Sequence, residues 1–165
     1  MERMHMRKLE ALIHNLESYV PQHALLHTKI SKGSIGWHIE HCLLTIDVVV
    51  NALKRSDGQN YQRRFDFRRF YVLTSGKIPR GKVEAPTLVR PVADLDGASL
   101  RQHLSKCMEN ISIIEHLSSE HFFTHPFLGD FKLKPAVKFL AIHTHHHVNI
   151  IKDIIQEDHR CVPVN

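Results

Sequence analysis

The sequence predicts an all-α protein: a four-helix bundle in one domain, residues 1–165, with a long connection between the second and third helices. Three observations carry this expectation. Four segments repeat apolar residues at helical spacing. Strand-like alternation is scarce. The one zone dense in Gly and Pro lies between the second and third of those segments.

The first helix is expected from about Arg3 to Tyr19. Leu9, Leu12, Ile13, Leu16 and Val20 give the i, i+3, i+4, i+7 pattern, and Pro21 ends it. His5 and His14 fall on it as surface or rim residues. Gln22 to Gly33 form a connection. Ser34 then has the chemistry of a helix N-cap, because its hydroxyl can accept a hydrogen bond from a free backbone N–H of the first turn.

The second helix runs to about Arg55. Glu40, Asp47, Asn51 and Lys54 make one narrow polar stripe, and nearly everything else is apolar, so this helix is expected to be largely enclosed. Two histidines lie near its start. His38 faces away from the polar stripe, alongside Cys42, Thr45 and Val49. His41 sits on a flank with Trp37, Leu44 and Val48. Periodicity favours His38 as the more buried ring, and it does not identify a ligand.

Ser56-Asp57-Gly58 is a turn. Arg63, Arg64, Arg68 and Arg69, with Phe65, Phe67, Phe70 and Tyr71, suggest a short amphipathic helix near Gln62 to Thr74. Gly76, Pro79, Gly81, Pro86 and Pro91 then prevent regular structure. So long a connection is usually functional or a lid. Its Lys77, Arg80, Lys82 and Arg90 can meet phosphate or carboxylate groups. Interleaved basic and aromatic residues also occur in nucleic-acid sites. The simpler expectation is a solvated surface in which the aromatics anchor a long loop.

The third helix starts near Asp96 or Ser99. Leu100, Leu104, Cys107, Ile111, Ile114 and Leu117 repeat at 4, 3, 4, 3, the spacing of a bundle seam, and Ser118-Ser119 begins its end. Pro126 and Gly129 make HFFTHPFLGDFKLKPA a turn-rich link. Pro135 suits the first turn of the last helix. The tail from Glu157 to Asn165 reads as frayed.

The last helix carries the chemistry, in His143, Thr144, His145, His146 and His147. At about 100° per residue, Ala136, Leu140, Ile151 and Ile154 form one stripe. His143 and His147 fall inside it, one turn apart. His145 points roughly the opposite way, and His146 lies to one side. Two imidazoles at i and i+4 on a buried face can reach one metal ion. No glutamate stands between them as it does in a zincin helix. A core histidine is ordinarily a hydrogen-bonded packing residue, but two unpartnered imidazoles in an aliphatic stripe are costly to bury. Three consecutive histidines inside an apolar helix are not an expression tag.

Composition excludes several classes. No run approaches the ~18 apolar residues of a membrane span, and the first residues lack the apolar core of a secretory signal. The expected location is the cytoplasm. Cys42, Cys107 and Cys161 are odd in number and show no CxxC pairing, which argues against a disulfide scaffold. The formal charge of +5 suits anionic substrates or nucleic acid without choosing between them. Walker, dinucleotide and GxSxG motifs are absent.

Three stretches resemble a known family. SIGWHIEHCLL resembles a second-helix motif in which a metal-binding histidine follows a serine by seven residues. HPFLG resembles a His-Pro-aromatic-Phe-Gly turn before the last helix, and HTHHH resembles an H-x-x-H-H cluster whose first and last histidines complete a three-histidine site. KIPRGKVEAP resembles the family's loop between helices two and three. The chain is similar in these respects to the DinB-like superfamily of four-helix-bundle metalloproteins, in particular its DUF1569-type branch. The likeness covers most of Ser34 to Ile151.

The resemblance implies a fold of DinB-like type and His41, His143 and His147 as ligands of a divalent metal such as zinc, nickel or iron. It prefers His41 over His38 as the ligand, a choice that periodicity did not make. It also implies an open coordination position, for water of lowered pKa or a substrate thiolate. Two positions depart from the family's pattern. Val148, Asn149 and Ile150 stand where many members have Arg-Gly-Gln, and Gly33 stands where many have a tryptophan.

Three functions compete. The first is an enzyme, a metal-dependent transferase that activates a low-molecular-weight thiol against a small-molecule electrophile, with a hydrolase at the same site as its variant. There His38, His125 and His146 are candidates for supporting or substrate-contacting roles. The second is a non-catalytic, metal-stabilised bundle or homodimer; a closed structural zinc site would have four protein ligands, and three good ones are visible. The third, nucleic-acid binding through Arg63 to Arg90, has no recognised motif behind it.

Overall fold

Ser34 shows how the local chemistry becomes structure. In the computed structural model, which describes residues 2–62, 64–81, 84–92 and 95–161, the Ser34 hydroxyl accepts a hydrogen bond from the Trp37 backbone N–H at 3.2 Å. It caps helix α2, Ile35–Arg55. Replacing Ser34 by Ala is expected to cost about 1 kcal/mol, read as a lower urea midpoint with unchanged slope.

Helix α1 spans Glu2–Ser18, α3 Phe67–Ser75, α4 Gly97–Ser112 and α5 Leu133–Cys161. Between α4 and α5 lies a hairpin of β1, Phe122–His125, and β2, Gly129–Lys132. Short 3-10 turns occupy Val20–Gln22, Thr87–Val89 and Ile113–His116. Arg63, Lys82, residues 162–165 and the Cys161 side chain lie outside the described residues.

Each long helix buries the stripe its sequence predicts. Leu9, Ile13 and Leu16 of α1, and Leu100, Leu104, Cys107 and Ile111 of α4, are all buried. Helix α5 packs against α1 and α2, while α4 packs against α2 and α1. Buried side chains of all five helices and the hairpin join in one contiguous apolar cluster. Pro135 sits in the first turn of α5, as expected. Among the described residues, no helix is long and apolar enough to cross a membrane. Cys42 and Cys107 are buried free thiols.

Three expectations need correction. Helix α3 begins at Phe67, not Gln62, because Asp66 caps it by accepting from the Arg69 N–H at 2.8 Å. It ends at Gly76, whose φ of 66° is open to glycine at no steric cost. Its aromatics do not anchor the segment. Phe65, Phe67, Phe70 and Tyr71 are exposed, and Val72 is the residue that α3 buries.

The turn-rich link is a β-hairpin, with Phe123 opposite Phe131 and His125 opposite Gly129. Four-residue strands are too short for alternation to announce them. Their pairing is fixed by Phe123 and Phe131, stacked at 5.2 Å and buried against the helices. The polar stripe of α2 includes Glu40 and Asp47. They face α4, where His103 lies within 2.9 Å of Glu40 and 3.1 Å of Asp47.

Candidate metal centre

The site is built by two helices and capped by a loop. The first turns of α2 carry Trp37, His38 and His41. The middle of α5 carries His143 to His147. Packing of α2 on α5 brings nitrogens of His41, His143 and His147 within 4.8 Å of one another. Ring centroids lie 5.0 Å apart for His41 and His143, 4.7 Å for His41 and His147, and 4.6 Å for His143 and His147. Three such rings can hold one metal ion.

The tautomers favour this. The His41 Nδ1–H donates to the Val89 carbonyl at 2.6 Å. A neutral His41 therefore presents its Nε2 lone pair. Burial lowers the His41 pKa, against the pull of that carbonyl. His143 and His147 are pushed well below 6.5, by burial first and then by the neighbouring histidines. All three rings stay unprotonated at neutral pH, the state a metal ligand needs.

His143 separates packing from binding. Its Nδ1 is buried and has no hydrogen-bond partner among the described residues. A packing histidine would have found one. An unpartnered ring nitrogen beside two other neutral imidazoles fits a cation better than it fits a core. The donor set, three neutral nitrogens, suits zinc, nickel or iron.

The supporting contacts are specific. His147 Nδ1 and His38 Nδ1 share one hydrogen bond at 2.9 Å, and His38 Nε2 meets the Ser31 hydroxyl at 2.9 Å. With the His147 ring donating from Nδ1, its Nε2 is a free lone pair and the His38 Nε2–H donates to Ser31. The indole of Trp37 stacks on His41 at 5.0 Å and meets His38 edge-on at 5.1 Å. A Cβ built on Gly33 would lie 2.8 Å from that indole, so only glycine leaves the ring its position.

The DinB superfamily model matches residues 4–151. The chain belongs to the DinB superfamily. Comparison with curated proteins and with solved structures finds no match.

The remaining histidines of this DinB chain take different places. His38 is buried and bonded to His147, and burial pushes its pKa down to about 3. His146 is half-buried, edge-on to His147 at 5.1 Å, and outside the convergent group. His145 is exposed, on the opposite side as expected, and Thr144 is fully buried. His125 lies one aromatic ring away. It packs on Phe139 at 5.2 Å, and Phe139 packs on His143 at 5.8 Å. The Phe127 backbone N–H donates to His125 Nδ1 at 3.1 Å, so the neutral ring keeps its proton on Nε2. His125 is thereby a hydrogen-bond donor, with no free lone pair to act as a base.

Ser31, Trp37, Phe139 and the Val89 carbonyl were not legible as site groups. Ser31 and Val89 come from loops, where no periodicity relates them to the helices, and a backbone carbonyl leaves no mark in a sequence. His38→Ala is expected to weaken metal affinity by about 10- to 100-fold without abolishing it, measured by competition with a chromophoric chelator. Affinity equal to that of the unaltered protein would show that the His38 bond to His147 has no orienting role.

Proposed function

We propose that this DinB chain is a four-helix-bundle metalloprotein of the DUF1569-type branch. In this reading His41, His143 and His147 hold one zinc, nickel or iron ion, and the protein transfers a low-molecular-weight thiol to a small-molecule electrophile. The observation that carries it is the convergence of three unprotonated imidazoles, one with an orphaned buried nitrogen. Three protein ligands leave a position open to substrate, where a structural zinc site would close with a fourth.

When bound, the metal supplies Lewis acidity that favours the thiolate over the thiol at neutral pH. The chain supplies orientation. The Val89 carbonyl fixes His41, and the Ser31–His38 pair fixes His147. Trp37 and Phe139 cover the rings of His41 and His143 and keep water away from them. His125 offers an N–H from the hairpin side and takes up no proton through Nδ1. The cytoplasm suits this reading, since Cys42 and Cys107 are free thiols and the thiol pool there is reduced.

The test begins with elemental analysis of untagged protein. One ion per chain, followed by a thiolate-to-metal absorption band when cobalt-loaded protein is titrated with small thiols, supports the reading. Metal binding with no thiol access points instead to a non-catalytic, metal-stabilised protein, a reading favoured by the burial of His41 and His147. Metal binding with ester or amide cleavage and no thiol transfer points to a hydrolase.

A further inference from the structure

The loop residue Arg80 has a place that the metal reading alone does not use. Its guanidinium donates to the Asp153 carboxylate of α5 at 2.7 Å. Asp153 lies seven residues beyond His146, on the same face of the helix and about 10 Å further along it. The same connection that carries Arg80 also delivers the Val89 carbonyl to His41. This cation therefore stands on the face of α5 that His146 occupies, about two turns beyond it.

The ion pair is poorly suited to be a structural clamp. Its side chains are 47% and 41% exposed, and pairs of that kind contribute little to stability. Gly76 and Gly81 bracket Lys77 to Arg80, with φ of 66° and 68° and open space around each. Arg80 can exchange one carboxylate for another at small cost.

Charge balance gives the direction. Three neutral imidazoles around a divalent cation leave two positive charges, since Asp153 already offsets that of Arg80. A thiolate offsets one of these. A substrate carrying a further carboxylate offsets another, and a guanidinium is the side chain whose geometry matches carboxylate. We propose that Arg80 is a specificity-determining residue, which leaves Asp153 to bind a carboxylate on the thiol substrate while the sulfur occupies the three-histidine site. The proposal rests on the metal–thiol reading above and narrows the substrate to thiols bearing a carboxylate.

The experiment uses full-length cobalt-loaded protein and two probes, γ-mercaptobutyrate and its primary amide, with the thiolate-to-metal absorption band as readout. The unaltered protein is expected to bind the carboxylate thiol about tenfold more tightly than the amide. Arg80→Gln is expected to bring the ratio near one, and Asp153→Asn, which frees Arg80, to raise it. Metal content and thermal midpoint are measured on the same samples, so that misfolding is recognised. Equal affinities in the unaltered protein overturn the proposal while leaving the metal–thiol reading intact. A preference that survives Arg80→Gln overturns it as well, since the carboxylate is then recognised elsewhere. Failure to bind cobalt or either thiol overturns the metal–thiol reading and this proposal with it.

Discussion

In the proposed three-histidine site, His143→Ala is expected to reduce bound metal from one ion per chain to less than about a tenth of that, because one of three ligands would be gone. The informative part is the stability that goes with it. Without metal the substitution has opposing effects. It removes an orphaned buried nitrogen, relieving about 1–3 kcal/mol of desolvation, and it leaves a space whose cost is of similar size. The apo variant should therefore unfold near the apo parent. With free metal at about 100 times the dissociation constant, the parent gains ~2.7 kcal/mol that the variant cannot gain. Thermal unfolding of both proteins with and without zinc checks this. A loss of stability that is the same in both conditions would make His143 a packing residue and would remove the basis for the three-histidine site.

The second large effect is expected away from the site, at His103. Its Nδ1–H donates to Glu40 at 2.9 Å and its Nε2–H to Asp47 at 3.1 Å, while Asn110 donates to the other Asp47 oxygen at 2.8 Å. Hydrogen bonds to Asp47 and then Glu40 push the His103 pKa up to about 9, against burial. Burial alone would raise the Asp47 pKa, and the bonds from His103 and Asn110 bring it below its ordinary value instead. The ring is thus an imidazolium joining two carboxylates between α2 and α4.

Removing it by His103→Ala leaves two partly buried carboxylates, two turns apart on α2, without their shared counter-charge. A fully buried pair would lose about 3–5 kcal/mol. Here the side chains are 15–19% exposed, so about 2–3 kcal/mol is expected, measured by urea unfolding. The pH dependence has a definite sign. A histidine whose folded pKa is raised contributes fully below its unfolded value of about 6.5 and loses that contribution as the pH rises through about 9. The parent should weaken across that interval by no more than ~1.4 kcal/mol per pH unit from this group. The variant should lack that component. A parent and variant with parallel alkaline profiles would mean that His103 is not the charged link.

The helices were legible because their determinants are local. Pro21 and Ser34 bound the first connection, and the apolar repeats that mark α1, α4 and α5 are the stripes those helices bury. The pairing of His143 with His147 is local in the same sense, since the pitch of one helix puts i and i+4 on one face. Family motifs implied His41 for the cluster, whereas periodicity could not decide between His41 and His38. The hairpin was missed because each strand is four residues long and draws its stability from Phe123 and Phe131 meeting the helices.

By itself, then, the sequence determined the four long helices and the histidine face of α5, which follow from interactions within a few residues, while α3 starts later, α4 ends earlier and α5 runs further into the tail than it implied. The tertiary structure decided which face of α2 meets that stripe. It turned His41 into the cluster with its Nδ1 tied to Val89, set His38 behind His147, brought Arg80 to Asp153, and joined Glu40 and Asp47 through His103. Those choices depend on the rotation and offset of one packed element against another. Side-chain interdigitation across the whole core fixes these, and no pattern within a single helix encodes them.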